Sequence, residues 1–351
     1  MLDDINVLKQ RDPWGALGVA GLQYEQLKFE LNISNGENDN RQIKSIILVG
    51  MGGSALAALV VKSWLKSDLT VPIEVLRSYD LPGYADYNTL VIVNSCSGNT
   101  EEALSCLEQA KASNSQIAII AAGGKLIEQA KDNKIAHIKL DIDLQSRTLA
   151  IRMFMIHNLC AIIKLLSHFN VISETKIEEI VSQYDWLKNE SLKWASDVPT
   201  VDNYAKQLAL KAVGKTAIFY GGALTSSIAY KWKISWNENS KNLSFWNELP
   251  EFNHNEFLGW TSHPVEKPFA VFDLVSNLEH PQILKRFEIS DRLLSGMRPK
   301  STTINLVGDS AIQQLLWGCI MADFVSIYLA ILNDVNPIQV QLIEKLKQQL
   351  N

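Results

Sequence analysis

The sequence predicts an α/β protein built from parallel, doubly wound sheets and divided into two domains. Three observations point there. Short apolar runs alternate with helical patterns of ten or more residues, the signature of strand–helix–strand crossovers. Two of the runs end in glycine-rich or hydroxyl-rich turns that lead straight into a helical pattern, MGGSA at 51–55 and SCSGNT at 95–100. The stretch TAIFYGGALTSSIAYKWKI at 216–234 echoes IILVGMGGSALAALVVKSW at 46–64. A chain of 351 residues fits two domains of ordinary size, and the boundary is placed near residue 165, giving domains 1–165 and 166–351.

Residues 1–31 read as helix, with Leu17, Leu22, Leu27 and Leu31 among polar residues, and NISNGENDNRQ at 32–42 as a surface loop. The first buried strand, 45–49, runs into a turn of Gly50, Gly52 and Gly53, and Ser54 opens a helix. That turn has neither the G-x-G-x-x-G spacing of a dinucleotide fingerprint nor the terminal Gly-Lys of a nucleoside-triphosphate loop. Further strands are expected at 72–75, 90–93, 116–121 and 136–140, with the pair Gly123-Gly124 after the third of these. From 148 to about 198 the pattern is continuously helical and is assigned to the connection between domains. In the second half a strand is expected at 268–275. The internal echo extends to spacing, because Gly52 stands 30 positions before Pro82 and Gly221 stands 29 before Pro250. The turn SCSGNT has no copy: SNLEHPQ follows the strand at 268–275, so one phosphate site per chain is expected.

The most informative stretch is 90–112, LVIVNSCSGNTEEALSCLEQAK. An apolar strand feeds a short turn and a helix opens at Glu101, with Ala103, Leu104, Leu107 and Ala110 at helical spacing. Such a junction leaves backbone N–H groups unpaired at a helix N-terminus, and Gly98 lets the backbone approach an anion closely. Ser95, Ser97 and Thr100 add hydroxyl donors at the same end. The turn contains no lysine or arginine, so the matching ligand is a phosphate monoester held by neutral donors and a helix dipole worth ~1–2 kcal/mol. Helix capping by Thr100 is the simpler reading, but capping needs one hydroxyl and the turn supplies three.

A hydrophobic fraction of 47 % with 20 % charged residues is that of a globular chain with ample core, and a net charge of −5 disfavours nucleic acid or an anionic membrane as partner. The first residues, MLDDINVLKQRDPWG, are acidic where a signal peptide is basic, and no long apolar stretch is expected to span a bilayer. Cytoplasmic location follows as the expectation. Cys96, Cys106, Cys160 and Cys319 form no C-x-x-C pair and read as free thiols, Cys96 as a small filler in the phosphate turn.

The second half gains charge at WKISWNENSKNLSFWNELPEFNHNEFLGW, 232–260. Glu238 ends a helix and His254 sits in a loop, and a carboxylate with an imidazole suits proton transfer at a carbon next to a carbonyl. A zinc site built from His254, Glu256, His263 and His280 fits no standard ligand spacing, so no metal is expected. Trp232, Trp236, Trp246 and Trp260 cluster here and either line a subunit contact or pack in the core.

With MGGSA, SCSGNTEE at 95–102, NENSK at 237–241, PEFNHNE at 250–256 and NPIQVQLIEKLKQQL at 336–350, nearly the whole chain resembles the bifunctional phosphoglucose/phosphomannose isomerases. That family is built from two sugar isomerase (SIS) domains. The resemblance implies that Gly52, Gly53, Ser54, Ser95, Ser97 and Thr100 hold the sugar phosphate. It implies Glu238 as the base that moves a proton between C1 and C2 through a cis-enediolate, and His254 as an aid to ring opening, contributed across a homodimer interface. Lys347, rather than Lys345, would act at the ring oxygen, and Arg147, rather than Arg152, would stabilise the enediolate. The implied enzyme is an aldose–ketose isomerase of glucose 6-phosphate, mannose 6-phosphate and fructose 6-phosphate that needs no cofactor. The alternatives are an SIS isomerase of another sugar phosphate, such as an amino-sugar phosphate, and a sugar-phosphate sensor without turnover. A sensor would keep SCSGNT but have no use for Glu238, and the first 40 residues are too short and too little basic for the DNA-binding domain such sensors carry.

Overall fold

The structure, a computed structural model, describes residues 1–142, 151–262 and 268–350, with the side chains of Ile151 and Lys347 outside that description. It divides into two compact units, Gln23–Trp186 and a discontinuous one formed by Met1–Leu22 with Leu187–Asn351. In place of one helix over 1–31 stand α1 (Ile5–Arg11), α2 (Ala16–Gly21) and a 3-10 helix, Gln23–Lys28. Between α1 and α2 lie Pro13, which has no N–H to give, and Gly15 in the left-handed region at φ +68°.

The first unit holds β1 (Ile33–Ser34), β2 (Ser45–Val49), α3 (Gly52–Trp64), β3 (Ile73–Leu76), β4 (Thr89–Asn94), α4 (Glu101–Ala112), β5 (Gln116–Ala121), α5 (Gly124–Asp132), β6 (Ala136–Lys139), α6 (Met155–His168) and α7 (Thr175–Val181). Its sheet runs β1-β6-β5-β4-β2-β3, parallel except for the edge strand β1, which lies in the stretch expected to be loop. All six residues of β4 are buried, as a central strand covered on both faces requires. Ile47, Val49, Val91, Val93, Ile119 and Ala121 face a layer made by α4 and α5. Helix α6 covers β5 and packs on α3 and the 3-10 helix. The expected boundary near residue 165 falls inside α6, whereas compactness keeps that helix with the sheet it covers, together with α7, which packs on α6 and the 3-10 helix.

The second unit follows α8 (Tyr184–Leu192), across which the division runs, with α9 (Tyr204–Ala212), β7 (Thr216–Gly221), α10 (Ser226–Asn239), β8 (Ser244–Glu248), α11 (Glu256–Gly259), β9 (Phe269–Val275), α12 (Pro281–Leu293), β10 (Thr302–Asn305), α13 (Ala311–Leu332) and α14 (Gln341–Leu350). Its sheet is parallel in the order β10-β9-β7-β8, which repeats β5-β4-β2-β3 strand for strand. The predicted duplication is therefore a duplication of topology. Two of its strands, β8 (SFWNE) and β10 (TTIN), are short and polar, which hides them from an apolar-run reading. The helical stretch 148–198 contains, among its described residues, a 3-10 helix at Ile151–Met153 and three separate α-helices, α6, α7 and α8.

Helix α13 is long and apolar enough to cross a bilayer by length and composition alone. Its 22 residues reach a mean hydropathy of 2.0, yet 94 % of that window is buried inside the protein, where α13 packs on α2, α9 and α10. It is a core helix. Its contact with α10 carries a ladder of buried polar pairs: Lys231 Nζ to Asp323 Oδ1 at 2.7 Å, Ser235 Oγ to the same oxygen at 2.9 Å, and Asn239 Nδ2 to Ser326 Oγ at 2.8 Å. Residues 231, 235 and 239 are four apart and share one face of α10. Trp232 and Trp236 are fully buried among Phe219 and Phe272, and Trp260 is buried beside Phe269, so these three tryptophans are core residues.

Four variants probe this packing. Gly98 stands at φ +70°, and a Cβ there would collide with the carbonyl of Gly123. Gly98→Ala therefore lowers the denaturant stability of its unit by about 2–4 kcal/mol. Asp323→Ala strands a buried ammonium and costs about 3–5 kcal/mol, whereas the double variant Lys231→Met/Asp323→Leu recovers most of that loss. His157 is fully buried with no partner for either ring nitrogen among the described residues, and burial pushes its pKa down to about 4. The unfolded chain binds that proton near pH 6.5 and the folded chain does not. Stability of this unit then falls as pH drops from about 6.5 to 4, by ~3 kcal/mol, and His157→Phe flattens the slope in acid titrations followed by circular dichroism.

Candidate functional site

Beyond the carboxyl ends of β2 and β4 lies the switch point of the first sheet. The chain leaves β2 through α3 toward β3 on one side and leaves β4 through α4 toward β5 on the other. Val49 and Val93 are register partners, so the turns after them start level, and a Cβ on Gly50 would lie 3.1 Å from the carbonyl oxygen of Asn94. This is where ligands of doubly wound sheets bind.

The two turns are built differently. After β2, Gly52 takes φ +51° and α3 starts with no side chain among the described residues accepting from the N–H of Gly52 or Gly53. Ser54 is buried in this first turn. After β4, the hydroxyls work inside the turn: Ser95 Oγ and Thr100 Oγ1 are 2.7 Å apart, Ser95 Oγ accepts from the N–H of Gly98 at 3.2 Å, and Ser97 Oγ accepts from that of Asn99 at 3.3 Å. Thr100 stands at the N-cap position of α4, its carbonyl accepting from Leu104 at 3.0 Å, but its side chain makes no capping bond. Ser95 is buried, and Ser97 and Thr100 are half-buried at the rim.

Gly98 has a packing duty beyond the one expected of it. Its positive φ and its closeness to Gly123 make it a packing requirement between two turns. Asn99 completes the clasp, its Oδ1 accepting from the N–H of Lys125 at 3.0 Å, while the carbonyl of Gly98 accepts from Leu126 at 3.0 Å. Cys96 is buried and its thiol is pushed up to about 11 by burial, as a filler should be.

Two side chains here were not singled out as phosphate ligands. Asn94 ends β4 with its amide buried, and neither amide atom has a partner among the described residues. A polar residue closing an apolar strand was its only signal. Buried amides with unmet hydrogen-bonding capacity at such a position are candidates for ligand contact. Arg152 is buried, and its Cα lies 3.5 Å from where a Cβ on Gly53 would sit, which puts its backbone against the first turn of α3. Arg147 lies outside the described residues.

In the second unit Glu238 is the penultimate residue of α10 and half-buried, and its backbone carbonyl accepts from Lys241 Nζ at 2.6 Å. His254 is exposed at the end of a 3-10 turn, Glu251–His254. The loop around it is held from beneath. Glu256 accepts from the Tyr220 hydroxyl at 2.5 Å and from Asn247 Nδ2 at 2.7 Å, and Trp260 Nε1 donates to that hydroxyl at 3.0 Å. Burial, with the Glu256 carboxylate beside it, pushes the Tyr220 phenol far above its usual range, so it stays a donor. Asn253 is fixed by Ser290 and Arg286. Of PEFNHNE, Glu256 and Asn253 are thus scaffold and His254 is presented outward. His280 uses Nδ1 to cap α12, accepting from Gln282 at 3.1 Å. Lys345 is exposed on α14, and the side chain of Lys347 on the same helix lies outside the description.

Residues 41–157 match the SIS domain, and residues 201–350 match the bacterial phospho-glucose isomerase C-terminal SIS domain. Among curated proteins the chain is 34 % identical over 310 residues to a bifunctional phosphoglucose/phosphomannose isomerase of Caldicellulosiruptor bescii, covering 88 % of this chain and 90 % of that one. It is 28 % identical to the protein of the same name from Aquifex aeolicus, covering 93 % and 95 %. Among solved structures it superposes on a glucose-6-phosphate isomerase like protein from Thermus thermophilus with a TM-score of 0.64 at 16 % identity, covering 99 % and 98 %, a likeness of fold. Two SIS domains in tandem and this degree of identity over nearly the full length assign the chain: it is an isomerase and belongs to the bifunctional phosphoglucose/phosphomannose isomerase family.

Proposed function

We propose that this isomerase interconverts glucose 6-phosphate and mannose 6-phosphate with fructose 6-phosphate through a cis-enediolate, without a metal. The observation that carries the reading is the 34 % identity along 88 % of the chain to a relative named for both activities. Gly52, Gly53 and Ser54 at the start of α3, with Ser95, Ser97 and Thr100 after β4, hold the phosphate. Neutral donors and two helix N-termini suit a dianion that must be released after each turnover. In the open-chain aldose the Glu238 carboxylate takes the proton from C2. The C1=O bond becomes the enediolate oxyanion, a proton passes from O2 to O1, and Glu238 returns its proton to C1 to give the ketose. Glucose and mannose phosphates differ only at C2, so one enediolate serves both when the proton can be exchanged on either face.

The remaining roles belong to the same reading. Arg147 stabilises the oxyanion, a task worth about 3 kcal/mol for a single well-placed donor. His254 assists ring opening from the neighbouring subunit of a homodimer, and Lys347 acts at the ring oxygen. Phosphate binding far from the reacting carbons turns binding energy into alignment of C1 and C2 with the base. Purified protein incubated with fructose 6-phosphate yields both aldose phosphates, and a chelator leaves the rate unchanged. Exclusive turnover of an amino-sugar phosphate would replace this substrate assignment. Glu238→Gln retains glucose 6-phosphate binding by calorimetry and loses turnover by ~100-fold or more; full activity in that variant removes the base from the scheme.

A further inference from the structure

The switch point of the second sheet is the topological counterpart of the phosphate turn, and a side chain of the same unit occupies it. Gly221 is the register partner of Leu274, so the turns after β7 and β9 also start level. Glu279, from the turn after β9, reaches across into the turn that opens α10. Its Oε1 accepts from the N–H of Leu224 at 2.8 Å and the N–H of Thr225 at 3.1 Å, and the Thr225 hydroxyl oxygen lies 3.4 Å away. The Thr225 hydroxyl is itself held, donating to the carbonyl of Leu274 at 2.7 Å and accepting from the N–H of Gly222 at 2.7 Å. A Cβ on Gly222 would collide with that same carboxylate oxygen. Glu279 is 6 % exposed. It stands more than fifty positions along the chain from the turn it fills, which sets it apart from an ordinary helix cap supplied by the residue just before the helix.

We propose that the turn opening α10 is a second anion cradle, closed by the Glu279 carboxylate, which stands where the first sheet holds its sugar phosphate and positions the helix that carries Glu238. This rests on the reading of the first turn as the phosphate site. Three features carry it: an acidic side chain buried with its oxygen on two backbone N–H groups, a glycine that leaves room for it, and identical strand order around both turns. Each chain then takes one phosphate ester, and α10 keeps its place whether or not substrate is bound. Glu279 is a positioning residue that does not touch substrate.

The test uses the full chain with Glu279→Gly and Glu279→Gln. The glycine variant opens a cavity of carboxylate shape, and formate, matched against chloride at equal ionic strength, is the probe. The glycine variant is expected to melt ~3 °C or more below wild type and to lose kcat by about tenfold with little change in KM. Formate restores both, and it changes neither in wild type. Glu279→Gln, which fills the space without the charge, folds, loses kcat in the same direction and does not respond to formate. The proposal is overturned by a glycine variant with wild-type melting and turnover, by formate that rescues no better than chloride, or by a glutamine variant with wild-type kcat. Formate-dependent melting requires no enzymatic activity, so it separates failure of this cradle from failure of the isomerase reading. Titration of wild type with glucose 6-phosphate saturates at one per chain, and two per chain would also overturn the proposal.

Discussion

Two adjacent parallel strands whose crossovers depart in opposite directions cannot close the space beyond their carboxyl ends, and this chain creates that situation twice. Between β2 and β4 the space is framed by backbone N–H groups, three hydroxyls and a buried amide. Between β7 and β9 it is filled by Glu279. The same architectural opening thus has opposite outcomes, decided by what the turn after the inner strand contains. SCSGNT brings small neutral donors, and SNLEHPQ brings a carboxylate. The two openings therefore differ in side chains alone, since strand order is common to both sheets.

Much of this was legible in the sequence because burial on both faces writes strands as continuous apolar runs. SIILV, TLVIVN and QIAIIA announce β2, β4 and β5 in that way. Strands β8 and β10 escaped because edge positions tolerate polar residues. The turn after β4 was readable as a hydroxyl-rich strand–turn–helix junction, but the packing duty of Gly98 was not. The demand on that glycine comes from Gly123, 25 positions along the chain, and pairwise closeness of two turns leaves no local pattern. Glu279 was hidden for the same reason: a glutamate before His-Pro reads as a helix entrance, and only the folded sheet brings it to the turn after β7. Glu238 and His254 drew attention as charge in a changed segment, yet their roles came through resemblance, since a carboxylate at a helix end is ordinarily solvated.

Helix α10 joins these themes. One face meets α13 through Lys231, Ser235 and Asn239, and Glu238 lies beside the last rung. A buried ion pair contributes little net stability after desolvation, but its geometry tolerates no slippage, and an otherwise apolar interface would accept neighbouring registers at small cost. α13 is almost uniformly apolar, so shape alone gives it little reason to prefer one rotation about its axis. Asp323 and Ser326 supply that preference. The precision of the α10 C-terminus is thereby set from the side, by Asp323 and Ser326, and from the far end, by Glu279.

The discontinuous unit has a consequence for synthesis on the ribosome. Met1–Leu22 emerges well before its partners: Arg11 donates to the carbonyl of Ile331 at 2.8 Å and pairs with Asp334 at 3.3 Å, and α2 lies on α13. At ordinary elongation rates about 15 to 60 s separate the two. Gln23–Trp186 is contiguous and can condense while translation continues, whereas α13, the most apolar helix of the chain, leaves the exit tunnel needing α2, α9 and α10 to be waiting. Met1–Leu22 is then a tethered half of a docking reaction that is completed only once α13 has been made.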